Sequence, residues 1–399
     1  MKQETPVSNR RLLGVAGLGW LFDAMDVGLL SFVIAALQKD WNLTVQQMGW
    51  IGSVNSIGMA VGALLFGLLA DRIGRKHVFI ITLLLFSIGS GLSAFAPTLT
   101  VFLLLRFIIG AGLGGELPVA STLVSESVEA HKRGRVVVLL ESFWAGGWLI
   151  AALIAYFVIP GYGWKTAMLL SAIPAVYALY LRLSLPDSPR FQPQEAKQSA
   201  WEKIQTVWSG PYARPTVMLW VLWFCVVFSY YGMFLWLPSV MVLKGFSMIK
   251  SFQYTLIMTL AQLPGYFTAA WLIERAGRKF VLITYLLGTA ASAYFFGGAE
   301  TVTALVVSGA LLSFFNLGAW GALYAYTPEQ YPTAVRGTGA GMAASFGRVG
   351  GILGPLFVGY LVAQKHAISS IFTIFTITII VGALAVLLLG KETKQQELI

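Results

Sequence analysis

Six ionisable residues lie inside long apolar runs: Asp23, Asp26, Arg106, Glu116, Glu141 and Arg348. Charges in such surroundings are costly and usually line a functional cavity. A carboxylate beside a guanidinium can load and unload a proton as its partner or its solvation changes. Asp23 and Asp26 are three apart, so a helix puts them on one face. Counted along their runs, Asp26 and Arg106 differ in depth by about 7 Å at a rise of about 1.5 Å per residue. That is within reach of an Arg side chain, so the two read either as a proton-carrying couple or as a fixed ion pair locking two helices. Asp23 fits an auxiliary or gating carboxylate. Glu116 reads equally as a second proton site or as a structural hydrogen-bonding group. Glu141, near the start of its run, reads first as a helix-start charge facing Arg133 and Arg135, with a place in a ligand site as the alternative.

Arg348 stands about eleven residues into the run that contains ASFGRVGGILGP. A guanidinium offers a planar fork to a carboxylate. No span of the second half holds an acid at that depth, so an external carboxylate is the expected partner. Counted in residues from the cytoplasmic ends, Trp148 falls at about 12, Tyr230 and Tyr231 at about 15 and 16 and Trp320 at about 7; Trp144 precedes Trp148 by one turn, and the amides Gln262 and Asn316 are level with Arg348. Aromatic faces suit a flat heteroaromatic ligand, and an amide can bond a ring nitrogen. The bland alternative for each ring is packing or the bilayer interface.

These residues need elements that hold them inside a membrane. The 399-residue chain is 57% hydrophobic, 14% aromatic and 11% charged, whereas soluble domains carry about 25% charged residues. Its mean hydropathy is +0.75. This composition disfavours a soluble enzyme, a nucleic-acid binder and a disordered scaffold. Apolar runs near 12–37, 48–70, 77–96, 99–125, 136–159, 165–185, 215–243, 251–273, 280–297, 302–327, 337–362 and 369–390 predict an all-α integral membrane protein of twelve transmembrane helices. Of 27 Lys and Arg, five (Lys39, Lys165, Lys244, Lys250, Lys365) fall in loops on one side and two (Arg106, Arg348) inside spans. The remainder share a side with both termini, which are therefore expected to be cytoplasmic. The net charge of +10 is thus mostly topology, with no nucleic-acid patch implied. The single Cys225 and the three histidines (His77, His131, His366) offer no disulfide, metal or catalytic constellation. No cofactor is implied.

The segment from Pro186 to Arg214 is rich in Pro, Gln and charge. It divides the chain into an N-terminal half (1–185), a cytoplasmic linker (186–214) and a C-terminal half with a short tail (215–399). The halves repeat. DRIGRK at Asp71–Lys76 is matched by ERAGRK at Glu274–Lys279, and Glu126 and Arg133 by Glu329 and Arg336, all at the same sequence offset. Asp71, Arg72 and Arg75 with Glu126 and Arg133, and Glu274 and Arg278 with Glu329 and Arg336, are expected to form a charge lattice gating the cytoplasmic side. A mere stop-transfer anchor would require only the basic residues. Two parallel six-helix repeats place a substrate site near the midplane between them.

With GLLADRIGRK after the second span, its degenerate repeat, PDSPR at Pro186–Arg190 and KETK at Lys391–Lys394, the chain resembles the major facilitator superfamily over essentially its whole length. FDAMDVGLL, GGELPVASTL, ESFWAGGW, FSYYGMFLWLP and NLGAWGALYAYTPEQYPT are most similar to the bacterial nicotinic acid transporters, in the branch with the organic ion transporters and synaptic vesicle glycoproteins. The seventh span lacks the paired glutamines of sugar porters, and the fifth lacks the Gly-Pro signature of drug antiporters. The resemblance implies secondary transport rather than catalysis. It implies coupling positions at Asp26 and Arg106, an anion-serving arginine at Arg348, and ligand-lining rings at Tyr230, Tyr231, Trp320 and Trp144 or Trp148. The expectation is a monomeric, multi-pass importer in the cytoplasmic membrane. Its cargo is a small aromatic monocarboxylate, nicotinate first and nicotinamide or other aromatic acids second, carried with a proton.

Overall fold

A computed structural model describes residues 9–73, 75–127, 130–183 and 200–394. Helices account for nearly all of them, and there is no strand among the described residues. In chain order these are α1 (Asn9–Trp41), α2 (Val45–Ile73), α3 (Arg75–Ser93), α4 (Leu99–Ser127), α5 (Ala130–Leu183), α6 (Ala200–Val207), α7 (Ala213–Phe234), α8 (Leu237–Leu243), α9 (Met248–Leu260), α10 (Gln262–Ala276), α11 (Arg278–Gly297), α12 (Val302–Glu329), α13 (Thr333–Ala363) and α14 (Ile368–Leu389). A hydrocarbon core leaves backbone groups no water to bond, so spanning segments must be helical.

The α5 segment is two spans joined at Gly163, whose φ of 83° and ψ of 167° break the helix. That φ favours glycine. The next residue, Trp164, packs edge-on against Trp41 and Phe102 and fixes the hairpin to α1 and α4. The seventh span is α7 extended by α8 across Leu235 and Trp236, and the eighth is α9 and α10 meeting at Ala261. Counted this way the described helices make twelve crossings, which puts the start of α1 and the end of α14 on one side. The short helix α6 lies inside the segment assigned to the linker, where eight residues are too few for hydrophobic periodicity to announce a helix.

Within the first half α1 packs on α5 and α2 on α4; in the second, α7 packs on α13 and α11 on α12 and α14. The halves meet along α2 against α13 and α5 against α9, α10 and α12. Ser53 donates to the carbonyl of Ile352 at 2.6 Å across this seam, and Phe32 meets Phe252 edge-on. Large apolar side chains such as Ile88, Phe157, Phe295 and Leu388 point outward, as expected for surfaces that meet lipid.

The α2–α4 contact is made by backbone. A Cβ on Gly58 or Gly62 would strike the carbonyls of Phe107 and Ala111, and one on Gly110 or Gly114 those of Asn55 and Met59. Small residues allow this approach, and it brings Asn55 and Arg106 within bonding range. Gly62→Val is therefore expected to destabilise the protein by at least the 1–3 kcal/mol typical of overpacking, on the order of, seen as a lower Tm in detergent. An unchanged Tm would show that the two helices can separate without cost.

Candidate functional site

Asp26 on α1 and Arg106 on α4 meet at 2.7 Å between Oδ2 and Nη2, with both side chains wholly buried. Ser90 on α3 donates to Asp26 Oδ1 at 3.1 Å, and Arg106 Nη2 also reaches Asn55 Oδ1 on α2 at 3.3 Å. Arg106 Nε has no partner. Four helices thus converge on one ion pair. A buried pair costs nearly as much to desolvate as its attraction returns, so it contributes little net stability while making the loss of either partner expensive. Asp23 is also buried, one turn earlier on α1.

A second cluster surrounds Glu141 on α5, which is 1% exposed. The indole of Trp20 donates to its Oε2 at 3.0 Å. The helix-start expectation for Glu141 is therefore corrected: α5 begins at Ala130, three turns earlier, and the carboxyl points inward to α1 rather than toward a basic loop. Around it the rings interlock. Trp20 lies 5.2 Å from Trp144 and 6.1 Å from Tyr324. Trp144 stacks on Trp320 with 22° between planes, and its indole donates to the Tyr230 hydroxyl at 2.8 Å. Tyr230 in turn contacts Trp320 at 4.7 Å and Tyr231 at 5.1 Å. Trp148 meets Phe234.

This enclosure carries polar atoms that the protein does not satisfy. Both polar atoms of Gln262, Asn316 Oδ1 and the Tyr266 hydroxyl are buried without hydrogen-bond partners, while the indoles of Trp148 and Trp320 are directed at the Tyr230 hydroxyl and the Glu141 carboxylate. Buried polar groups are normally bonded, so these orphans on α10 and α12 leave bonding capacity that a ligand with donors and acceptors could meet.

Among the described residues Arg348 on α13 donates to the Met59 sulfur on α2, at 3.8 Å, and no carboxylate pairs with it. A thioether is a weak acceptor, so the guanidinium keeps most of its capacity for an anion. Its helix neighbours Gly347 and Gly351 lie against Trp223 and Tyr231. Trp223 contacts Tyr324 at 5.1 Å, which links this region to the rings around Glu141.

At the end of the bundle where α14 finishes, Arg278 pairs with Glu274 at 2.7 Å and with Glu329 at 3.1 Å. Glu274 also accepts from the backbone N–H of Arg135 in the first half at 3.1 Å, bridging the halves there. Arg336 donates to the carbonyl of Pro328. The tail joins in, with Glu392 capping the start of α11 through the N–H groups of Arg278 and Lys279. The side chains of Asp71, Arg72, Arg75, Glu116, Glu126 and Arg133 lie outside the described residues.

Sequence reasoning missed Trp20, Tyr324, Tyr266 and Met59. Two of these had a signal. Trp20 shares a helix face with Asp23 and Asp26 at three-residue steps, and Tyr324 follows Trp320 by four.

The family model described as Major Facilitator Superfamily matches residues 16–265 and 251–398. The chain is 69% identical over 399 residues, the whole of both chains, to the NiaP protein of Bacillus subtilis (strain 168), provisionally named a niacin/nicotinamide transporter. It is 49% identical over 416 aligned positions to the niacin transporter NiaP of Acinetobacter baylyi, covering 97% of this chain and 95% of that one. Among solved structures it is similar to a D-xylose-proton symporter, with a TM-score of 0.78, 22% identity and coverage of 98% and 99% of the two chains. That likeness speaks to fold alone.

Breaking the buried pair gives a direct check of its energetics. Arg106→Gln leaves Asp26 uncompensated and is expected to cost about 3–5 kcal/mol, read as a fall in Tm. Adding Asp26→Asn should restore most of the loss. A double variant no more stable than Arg106→Gln alone would show that the two charges do not depend on each other.

Proposed function

Because the chain belongs to the Major Facilitator Superfamily, we propose that it imports niacin, as nicotinate, together with a proton. As a member of that superfamily it is a membrane transporter and not an enzyme. The observation that carries the substrate class is Arg348, a guanidinium without a carboxylate partner among the described residues. It lies beside an aromatic enclosure in which the amides of Gln262 and Asn316 keep unsatisfied polar atoms. The names of two relatives both include niacin, one of them together with nicotinamide.

Nicotinate is a flat ring with one carboxylate and one ring nitrogen. Its carboxylate docks on Arg348, where charge-assisted and bidentate bonds are strongest. Its ring inserts among Trp144, Trp148, Tyr230, Tyr231 and Trp320, and Gln262 or Asn316 bonds the ring nitrogen. Glu141 lines the far wall. Asp26 takes the proton, supported by Arg106, with Asp23 and Glu116 as auxiliary acids. An anion travelling with a proton moves no net charge, so the membrane potential neither opposes nor drives the step.

The two halves, 1–185 and 215–399, rock about this site with the linker 186–214 as tether. Both termini lie in the cytoplasm and the protein acts as a monomer in the cytoplasmic membrane. The lattice of Glu274, Arg278, Glu329 and Arg336, with its repeat at Asp71, Arg72, Arg75, Glu126 and Arg133, closes the cytoplasmic side and parts when the site opens inward.

Uptake of radiolabelled nicotinate and nicotinamide into proteoliposomes tests the assignment. Arg348→Gln removes a charge-assisted contact worth about 1.5–3 kcal/mol. Nicotinate uptake should therefore fall by roughly ten- to a hundredfold, while any nicotinamide uptake changes little. Equal loss for both compounds would remove Arg348 as the carboxylate anchor, and absence of nicotinate uptake by the unaltered protein would remove the substrate.

A further inference from the structure

The proton pair and the substrate arginine sit on different halves, yet a continuous line of side chains joins them. Arg106 Nη2 donates to Asn55 Oδ1 at 3.3 Å. Asn55 Nδ2 points to the Met59 sulfur at 3.9 Å, and the same sulfur takes Arg348 Nη1 at 3.8 Å. Asn55 and Met59 are four apart on α2 and therefore share a face. The amide has only one workable orientation. A guanidinium carries donors only, so the amide oxygen must face Arg106 and the amide N–H must face Met59. The backbone contact of Gly110 and Gly114 with Asn55 and Met59 holds this stretch of α2 against α4. On its opposite flank, Ser53 ties α2 to α13.

We propose that Asn55 and Met59 form the relay that couples protonation of Asp26 to substrate binding at Arg348. The proposal rests on the assignment of Asp26 and Arg348 above. Met59 is a placeholder: its weakly accepting sulfur steadies both Arg348 and Asn55 when no anion is bound. A substrate carboxylate on Arg348 occupies the position of the sulfur and displaces it from both partners. Asn55, released from Met59, closes its amide oxygen onto Arg106. There it supplies an acceptor that offsets the loss of the Asp26 charge when that carboxyl takes its proton. Substrate therefore favours protonation, and by thermodynamic reciprocity the proton favours substrate. The groups facing Asp26 are few. Arg106 approaches from α4, Ser90 from α3, and Asp23 lies one turn away on α1. From α5 the ring of Trp148 packs at Gly28, two residues along α1 from Asp26.

The experiment is nicotinate binding to the purified full chain from pH 5.5 to 8, with gradient-driven uptake in proteoliposomes, for the unaltered protein, Asn55→Ala, Met59→Leu and Asp26→Asn. Met59→Leu keeps the shape of the side chain and removes the sulfur, so it carries the test if Asn55→Ala does not fold. The unaltered protein should bind at least about tenfold more tightly at the acid end. In Asn55→Ala and Met59→Leu that change should shrink to about twofold or less, with nicotinate still bound but only equilibrated across the membrane. If Asp26→Asn is flat with pH while both relay variants keep the full dependence and still accumulate nicotinate, the relay is overturned and the assignment of Asp26 stands. If Asp26→Asn keeps the full dependence, the assignment of Asp26 falls and the relay falls with it.

Discussion

Burying a charge where no water can follow is the constraint on which the rest of this structure depends. An isolated carboxylate or guanidinium in such a place costs several kcal/mol, a large part of a protein's net stability, so Asp26 and Arg106 must find each other. Everything near them serves that meeting. Glycines on α2 and α4 let the two backbones touch, Ser90 fills one remaining acceptor site on Asp26, and Asn55 takes one remaining donor of Arg106. The pair is expensive to break and worth little when whole. Such a balance suits a group whose charge changes during a cycle better than one whose task is to hold helices together.

Arg348 answers the same constraint in the opposite way. It is half-buried on α13 and is given only a thioether, which leaves most of its bonding capacity unspent. The nearby enclosure is likewise incomplete, since Gln262, Asn316 and Tyr266 keep buried polar atoms without partners. Asp26 and Arg106 satisfy one another within the first half, whereas Arg348 leaves its bonding capacity to something from outside. The line through Asn55 and Met59 connects these two solutions, and it runs along α2, the helix that lies between α4 and α13.

Much of this was legible in the chain. Twelve apolar runs and the shared offset between Asp71–Lys76 and Glu274–Lys279 point to the repeated helical fold, because lipid allows little else for such a composition. Depth counting brought Asp26 to Arg106, since helical rise is nearly constant. Depth alone misjudged Glu141: a carboxyl a few residues into a run looks exposed when the helix in fact begins three turns earlier. Trp20 and Tyr324 went unseen because aromatic residues in membrane helices are so often interfacial. Met59 carries no polar signature at all, and its place between two polar groups exists only in three dimensions.

The central claim is that an anion on Arg348 and a proton on Asp26 are bound together. Calorimetry of nicotinate binding near neutral pH, repeated in buffers of different ionisation enthalpy, counts the protons taken up with the ligand. The account predicts uptake of a substantial fraction of a proton, up to about one, by the unaltered protein and none by Asp26→Asn. Nicotinate binding with no proton taken up at any pH between 5.5 and 8 would contradict it.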